Sequence, residues 1–205
     1  MFNRFFFIDE NHLCVCVGDV SGKGVPAALY MAVTLALIRA VAKDHRSTAS
    51  IVTRLNDELC EHNKEAMFVT LFAGIIDLSS GNFTYTNAGH NPSYFVKVDD
   101  DPKPLEEIHG IPLGIFPGKQ YDQCVIHLDK GNFIFAYTDG VTDSRNEKKE
   151  MFGNDRLVEQ LLSNKKNSTK TIIENIFNNT TMFRGNAEQY DDTTVIALKY
   201  KGDDS

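Results

Sequence analysis

Five consecutive apolar residues, Phe133-Ile134-Phe135-Ala136-Tyr137, bounded by Asn132 and by Thr138-Asp139-Gly140, constrain this chain more than any other segment. A strand alternates its side chains between two faces, so a run with no polar position needs cover on both. The fold must therefore place this strand between other layers. A chain of 205 residues, 42% of them hydrophobic, supplies material for one sizeable core or two small ones.

The remaining pattern predicts where those layers come from. Phe5–Ile8 and Leu13–Val17 read as a hairpin across Asp9-Glu10-Asn11-His12, followed by a glycine-rich turn from Gly18 to Gly24. Phe68–Leu78 reads as a long strand turned at Ser79-Ser80-Gly81-Asn82 into Phe83–Thr86, and Tyr94–Val98 as another. Asp99 to Pro104 is a polar loop. Tyr121–Leu128 and Asn132–Thr138 form a further hairpin across Asp129-Lys130-Gly131, and Thr193–Tyr200 is a β-branched closing strand. Pro26 suits a first helical turn, and Ala27 to Ala42 is apolar on nearly every face, which predicts a largely buried helix. Ser47 is placed to cap a second helix running through Ile51, Leu55 and Leu59 to about Lys64. Asn154–Lys165 and Ser168–Phe177 carry leucine and isoleucine at helical spacing, and Gly202 to Ser205 reads as a frayed acidic tail. No repeat, long linker or boundary interrupts the chain, so residues 1–205 read as a single α+β domain.

Charge and cysteine usage narrow the function. A net charge of −7 without a Lys/Arg cluster argues against nucleic acid, whose backbone demands a basic face. Val25 to Ile38, the longest uncharged stretch, is stopped by Arg39 short of a membrane span, and Arg4 is followed by only four apolar residues before Asp9, too few for a cleavable leader. Cys14, Cys16, Cys60 and Cys124 form no CxxC pair, and Cys14 and Cys16 point to one side of a strand. Buried free thiols in a reducing cytoplasm are the expectation.

Three aspartates sit where an apolar element meets a loop: Asp19 after Leu13–Val17, Asp139 after Phe133–Thr138, and Asp191 before Thr193–Tyr200. Carboxylates gathered at the end of packed sheets repel one another and are costly to desolvate, a cost that a hard cation removes. Oxygen donors without histidine or cysteine favour Mg²⁺ or Mn²⁺ over zinc. Each aspartate also has a plainer reading: Asp139-Gly140 as a turn, Asp191-Asp192 as a solvated corner, Asp19 as a residue favoured at a helix start. The Gly18–Gly24 segment is no phosphate-binding P-loop, because Gly18 and Gly22 are too close and Lys23 is followed by Gly24. Such a turn can still expose a carbonyl to a metal, and Val20 is the candidate.

Together, GDVSGKGVPAALYMA (18–32), MFVTLFAGIID (67–77), NAGHNP (87–92), PLGI (112–115), YTDGVTDSRN (137–146), FGNDRL (152–157) and DDTTV (191–195) resemble the PPM family, the 2C-type metal-dependent protein phosphatases, in its bacterial SpoIIE/RsbU-like branch. The motifs cover nearly the whole chain in the family's order. The resemblance implies a four-layer αββα sandwich of two mainly antiparallel sheets flanked by helix pairs, with a two-metal site. It implies that Asp19 bridges both cations, Mn²⁺ or Mg²⁺, that the Val20 carbonyl contributes to one, and that Asp139 and Asp191 complete the other. Asp143 matches the acidic residue this branch carries after Thr-Asp-Gly, in a supporting role. His90 reads as part of a structural turn, with general acid as the rival role.

The implied reaction is hydrolysis of phosphoserine or phosphothreonine on a protein by a water that two cations activate. In this branch the substrate resembles a STAS-type anti-anti-sigma factor in a partner-switching pathway, with a sensor or receiver domain upstream. One departure stands out: the family's opening Gly-Asp segment, whose first aspartate serves the second metal, aligns with Met1, and its second aspartate with Arg4. A chain truncated at its N-terminus is the simplest account, and a degenerate enzyme the other. The functional alternative is a catalytically impaired module that binds the phosphorylated partner.

Overall fold

The structure, a computed structural model, describes residues 1–43, 47–61, 63 and 65–202. The chain divides into two compact units, Met1–His90 with Glu107–His127, and Asn91–Glu106 with Leu128–Ser205. In the first, β1 (Phe2–Phe7) and β2 (His12–Val20) form the expected hairpin, Phe7 opposite Leu13 and Phe2 opposite Gly18. β3 (Val69–Asp77), β4 (Asn82–Ala88) and β7 (Cys124–His127) complete an antiparallel sheet of order β1-β2-β3-β4-β7.

β2 runs further than the sequence suggests. Gly18, Asp19 and Val20 are strand residues, paired with Leu71, Thr70 and Val69, so the glycine-rich turn begins only at Ser21. Gly18 serves packing rather than turning: a Cβ there would lie 2.7 Å from both the Phe2 ring and the Thr70 carbonyl oxygen.

α1 (Val25–Ala42) and α2 (Thr48–Glu61) bring Ile38, Val52, Leu55 and Leu59 onto Cys16, Val20, Leu71 and Ala73 of this sheet. Ser47 caps α2, its Oγ accepting the Ser50 N–H at 3.2 Å, while Lys64 lies outside the described residues. The expectation of a largely buried α1 fails. Only Thr34, Ile38 and Ala42 are buried, and Val25, Leu29 and Val33 are exposed, because one stripe of the helix meets the sheet. Nor does Arg39 end the apolar run: α1 continues to Ala42 and has the length and composition of a membrane-crossing helix.

The second unit contains β5 (Tyr94–Val96), β6 (Lys103–Pro104, inside the expected loop), β8 (Phe133–Tyr137) and β9 (Val195–Lys199), in the order β6-β5-β8-β9. β8 is buried at every position, as its composition demands. On one face Phe133, Phe135 and Tyr137 pack against Leu157 and Leu161 of α3 (Gly153–Asn164) and Ile172 and Ile176 of α4 (Thr169–Arg184). The expected β7–β8 hairpin does not form, since β7 pairs with β4 and β8 with β5 and β9. The burial patterns explain this: β7 alternates between half-buried and exposed positions and suits a sheet edge, whereas β8 needs cover on both faces. α4 outruns its expected end at Phe177 by nearly two turns. The polar run Asn178-Asn179-Thr180-Thr181 stays helical, with Thr180 buried and Asn179 Nδ2 and Thr180 Oγ1 donating to the Asn175 and Ile176 carbonyls at 2.8 and 2.7 Å, and the helix ends only at Gly185.

Candidate active site

At the end of β8 the chain turns back tightly. Thr138 N–H donates to the Thr194 carbonyl at 3.0 Å and the Thr194 N–H to Thr138 Oγ1 at 3.0 Å, locking the exit of β8 to the entry of β9. Asp139-Gly140 follows, and Thr193 Oγ1 donates to the Gly140 carbonyl at 3.2 Å. A Cβ at position 140 would fall 2.1 Å from the Asp192 carbonyl oxygen, so only glycine lets the two segments approach this closely. Asp139 thus follows β8, and Asp191-Asp192 precedes β9, on segments that adjoin at one end of the sheet. Asp143 N–H donates to the Asp139 carbonyl at 2.7 Å, a helical-turn spacing that puts the Asp143 and Asp139 side chains on neighbouring positions. Asp191 is exposed and its Oδ1 accepts the Asp192 N–H at 2.7 Å, while Asp143 is half-buried. Beneath them, burial together with the neighbouring Tyr94, Asp143 and Asp139 holds the Tyr137 phenol well above its ordinary value. The donors at this end are hard oxygens, a set suited to Mg²⁺ or Mn²⁺.

Asp19 belongs to the first unit. It is the next-to-last residue of β2, opposite Thr70, with 37% of its side chain exposed, and its Oδ1 lies 3.2 Å from the Met1 amino group. Pairing of Phe2 with Gly18 places position 1 beside Asp19, where this chain carries methionine rather than an acid. Val20 is buried, its side chain in the core beneath α1 and α2. The structure therefore sets Asp139, Asp143 and Asp191 on adjoining segments of one unit, without bringing their carboxylates to mutual metal-ligand separations, and sets Asp19 and Val20 at the end of β2 in the other.

His90 sits in a rigid turn. Asn87 clamps its main chain, Oδ1 accepting the His90 N–H at 2.8 Å and Nδ2 donating to its carbonyl at 3.0 Å. Its buried ring places Nδ1 3.0 Å from Oγ1 of Thr70, the strand partner of Asp19. The PLGI segment is likewise architectural: Asn56, wholly buried on α2, accepts the Gly114 N–H at 3.1 Å and donates to the Phe116 carbonyl at 2.9 Å. An asparagine between Leu55 and Leu59 on an apolar helical stripe was the available signal for it.

Glu107, His109 and Cys124 also gather at metal-ligand separations in the first unit. His109 Nδ1 accepts the Asn87 N–H at 3.0 Å, which leaves the proton of the neutral ring on Nε2, 3.8 Å from Glu107 Oε2. Cys124 Sγ donates to the same oxygen. Only the thiol is hydrogen-bonded to the carboxylate; His109 Nε2 is buried without a hydrogen-bond partner.

The family model for Stage II sporulation protein E (SpoIIE) matches residues 9–201. Protein IcfG of Synechocystis is 32% identical over 221 residues, covering 94% of this chain and 34% of IcfG. Phosphoserine phosphatase RsbU of Bacillus subtilis is 28% identical over 198 residues, covering 96% of this chain and 58% of RsbU. The chain thus spans about a third of one relative and somewhat over half of the other. Among solved structures, the SiaA-PP2C domain of Pseudomonas aeruginosa superposes with a TM-score of 0.86 at 18% identity, covering 97% of this chain and 80% of that one. The fold is accordingly the α+β PP2C-type fold of two antiparallel sheets and four helices.

Proposed function

The chain belongs to the SpoIIE family, in the SpoIIE/RsbU-like branch of the 2C-type (PPM) phosphatases, and on that premise we propose that it is a metal-dependent protein phosphatase acting on phosphoserine or phosphothreonine. The observation that carries this reading is the closure of the Asp139-Gly140 turn onto the main chain of Asp192 and Thr193, which sets Asp139 and Asp191 on adjoining segments at one end of the sheet. In this reading Asp139, Asp191 and Asp19 would hold the cations, and the Val20 carbonyl would add a further oxygen. Asp143 supports Asp139 from the following turn. Bound Mn²⁺ or Mg²⁺ would supply the Lewis acidity that makes water a nucleophile and neutralises the phosphoryl oxygens.

No cysteine serves as nucleophile in this reading. Cys14 and Cys16 are buried within β2, and burial pushes the Cys14 thiol up to about 12 and Cys16 well above its usual range. The proposed substrate is a phosphoserine on a STAS-type anti-anti-sigma factor in a partner-switching pathway, in keeping with similarity to a phosphoserine phosphatase. The proposed regulator is an upstream sensor or receiver domain, and the proposed compartment the cytoplasm, in keeping with free thiols.

Manganese-dependent release of phosphate from p-nitrophenyl phosphate tests the reading. Asp19→Asn, Asp139→Asn and Asp191→Asn should each lower the rate on the order of 10²-fold, about 2.7 kcal/mol of barrier, with unchanged circular dichroism. Methionine at the position beside Asp19 motivates the second reading, a phosphoprotein-binding module. Equal inactivity of the wild type and Asp19→Asn at millimolar Mn²⁺ would decide in its favour.

A further inference from the structure

Beside Asp191 the second unit holds a recess that the proposed chemistry leaves unused. It lies between the last turns of α4 and the 189–193 segment entering β9, lined in part by Gly140, Ser144, Thr180, Arg184, Tyr190 and Asp191. Its volume is about 170 Å³. That is below the roughly 300 Å³ at which small-molecule pockets begin, and so fits one side chain rather than a cofactor.

Arg184 lines this recess and Arg145 lies against Tyr190, one of its walls; neither has a carboxylate partner among the described residues. Arg184, the last residue of α4, makes only a long contact from Nη1 to Gln189 Oε1 at 3.4 Å, and its Nε is buried with no hydrogen-bond partner. Gln189 is itself tied to the Asp191 carbonyl at 2.9 Å. Arg145 stacks its guanidinium on the Tyr190 ring, 4.2 Å from the centroid, and its Nε is also buried and unpartnered. A buried donor left unmade costs about 1–3 kcal/mol, and each such group calls for an explanation. Both donors belong to planar forks whose geometry matches an oxyanion.

We infer that Arg184, with Arg145 behind Tyr190, forms a subsite for an acidic side chain of the protein substrate, flanking its phosphoserine. The inference rests on the phosphatase reading. There the substrate's phosphate belongs to the cations at Asp139 and Asp191, so the group that reaches a neighbouring recess comes from an adjacent residue of the same peptide. A carboxylate in the recess supplies the acceptor that the Arg184 Nε–H lacks, while Arg145 adds positive charge behind Tyr190.

Two phosphoserine peptides differing only in flanking glutamate or alanine test this. The wild type should favour the glutamate peptide about ten-fold in kcat/KM. Arg184→Gln should erase the preference, Arg145→Gln should weaken it, and Arg184→Glu should transfer it to a lysine-flanked peptide; thermal melts by circular dichroism identify any variant that fails to fold. A preference that survives Arg184→Gln, or is missing from the wild type, overturns the subsite. So does an equal loss on both peptides and on p-nitrophenyl phosphate, which would put Arg184 on the phosphate itself. Fluorescence anisotropy of labelled peptides in EDTA repeats the comparison without turnover. A wild type that hydrolyses neither peptide yet binds the glutamate peptide preferentially sinks the phosphatase reading alone, whereas no preference in either readout sinks the subsite.

Discussion

Gly74 shows how closely single residues are held in the first unit. Phe72, Phe83 and Tyr85 stack with centroid separations of 6.4, 5.7 and 6.3 Å, and the Phe83 ring lies over Gly74, where a Cβ would sit 2.1 Å from Cζ. Gly74→Ala should destabilise the protein by about 1–3 kcal/mol in urea unfolding, with Phe83→Leu restoring part of the loss. Full stability of the alanine variant would mean that the ring moves freely. Glycines 18 and 140 obey the same rule of close approach, which is why they precede Asp19 and follow Asp139. At this scale the sequence exposed the aspartates through Gly-Asp, Asp-Gly and Asp-Asp. It marked Asn56 only as a polar residue on an apolar stripe and could not expose Arg145 or Arg184, whose surroundings depend on partners far along the chain.

At the scale of elements, the β1–β2 turn is held by one carboxylate. Asp9 Oδ1 lies 2.8 Å from His12 Nδ1 and accepts the N–H groups of Asn11 and His12 at 2.9 Å each. The His12 side chain first, then the Asn11 amide, lower the Asp9 pKa from 3.8 to about 2. A depressed carboxylate stabilises the fold above its unfolded value and loses that contribution as pH falls through the folded one. The contribution should therefore be complete above about 3.8 and fade toward about 2, and Asp9→Asn should remove this part of the acid dependence in denaturant titrations. An unchanged acid limb would show that the turn holds without it. Periodicity found nearly every strand and helix, including the hairpin that this turn closes. It failed where an element's partner mattered, at β7, which joins β4 instead of β8, and at α1, of which one stripe is covered.

For the molecule as a whole, the free thiols report how far solvent reaches the core. Cys14 and Cys16 are buried in β2, while Cys60 and Cys124 are half-buried. In native buffer a thiol reagent should modify Cys60 and Cys124 first, with Cys14 and Cys16 reacting only as fast as the protein unfolds. Modification of all four at one rate would contradict the described core. By itself the sequence determined the fold class and the family, because alternation, helical spacing and short motifs are local in the chain and survive without knowledge of contacts. Only the tertiary structure decided which strands share a sheet, that Gly140 closes on the Asp192 main chain, and that Arg184 lines a recess beside Asp191 with no carboxylate partner among the described residues. Those facts depend on packing between segments some fifty residues apart, from Gly140 to Asp192, and no local pattern encodes a distance.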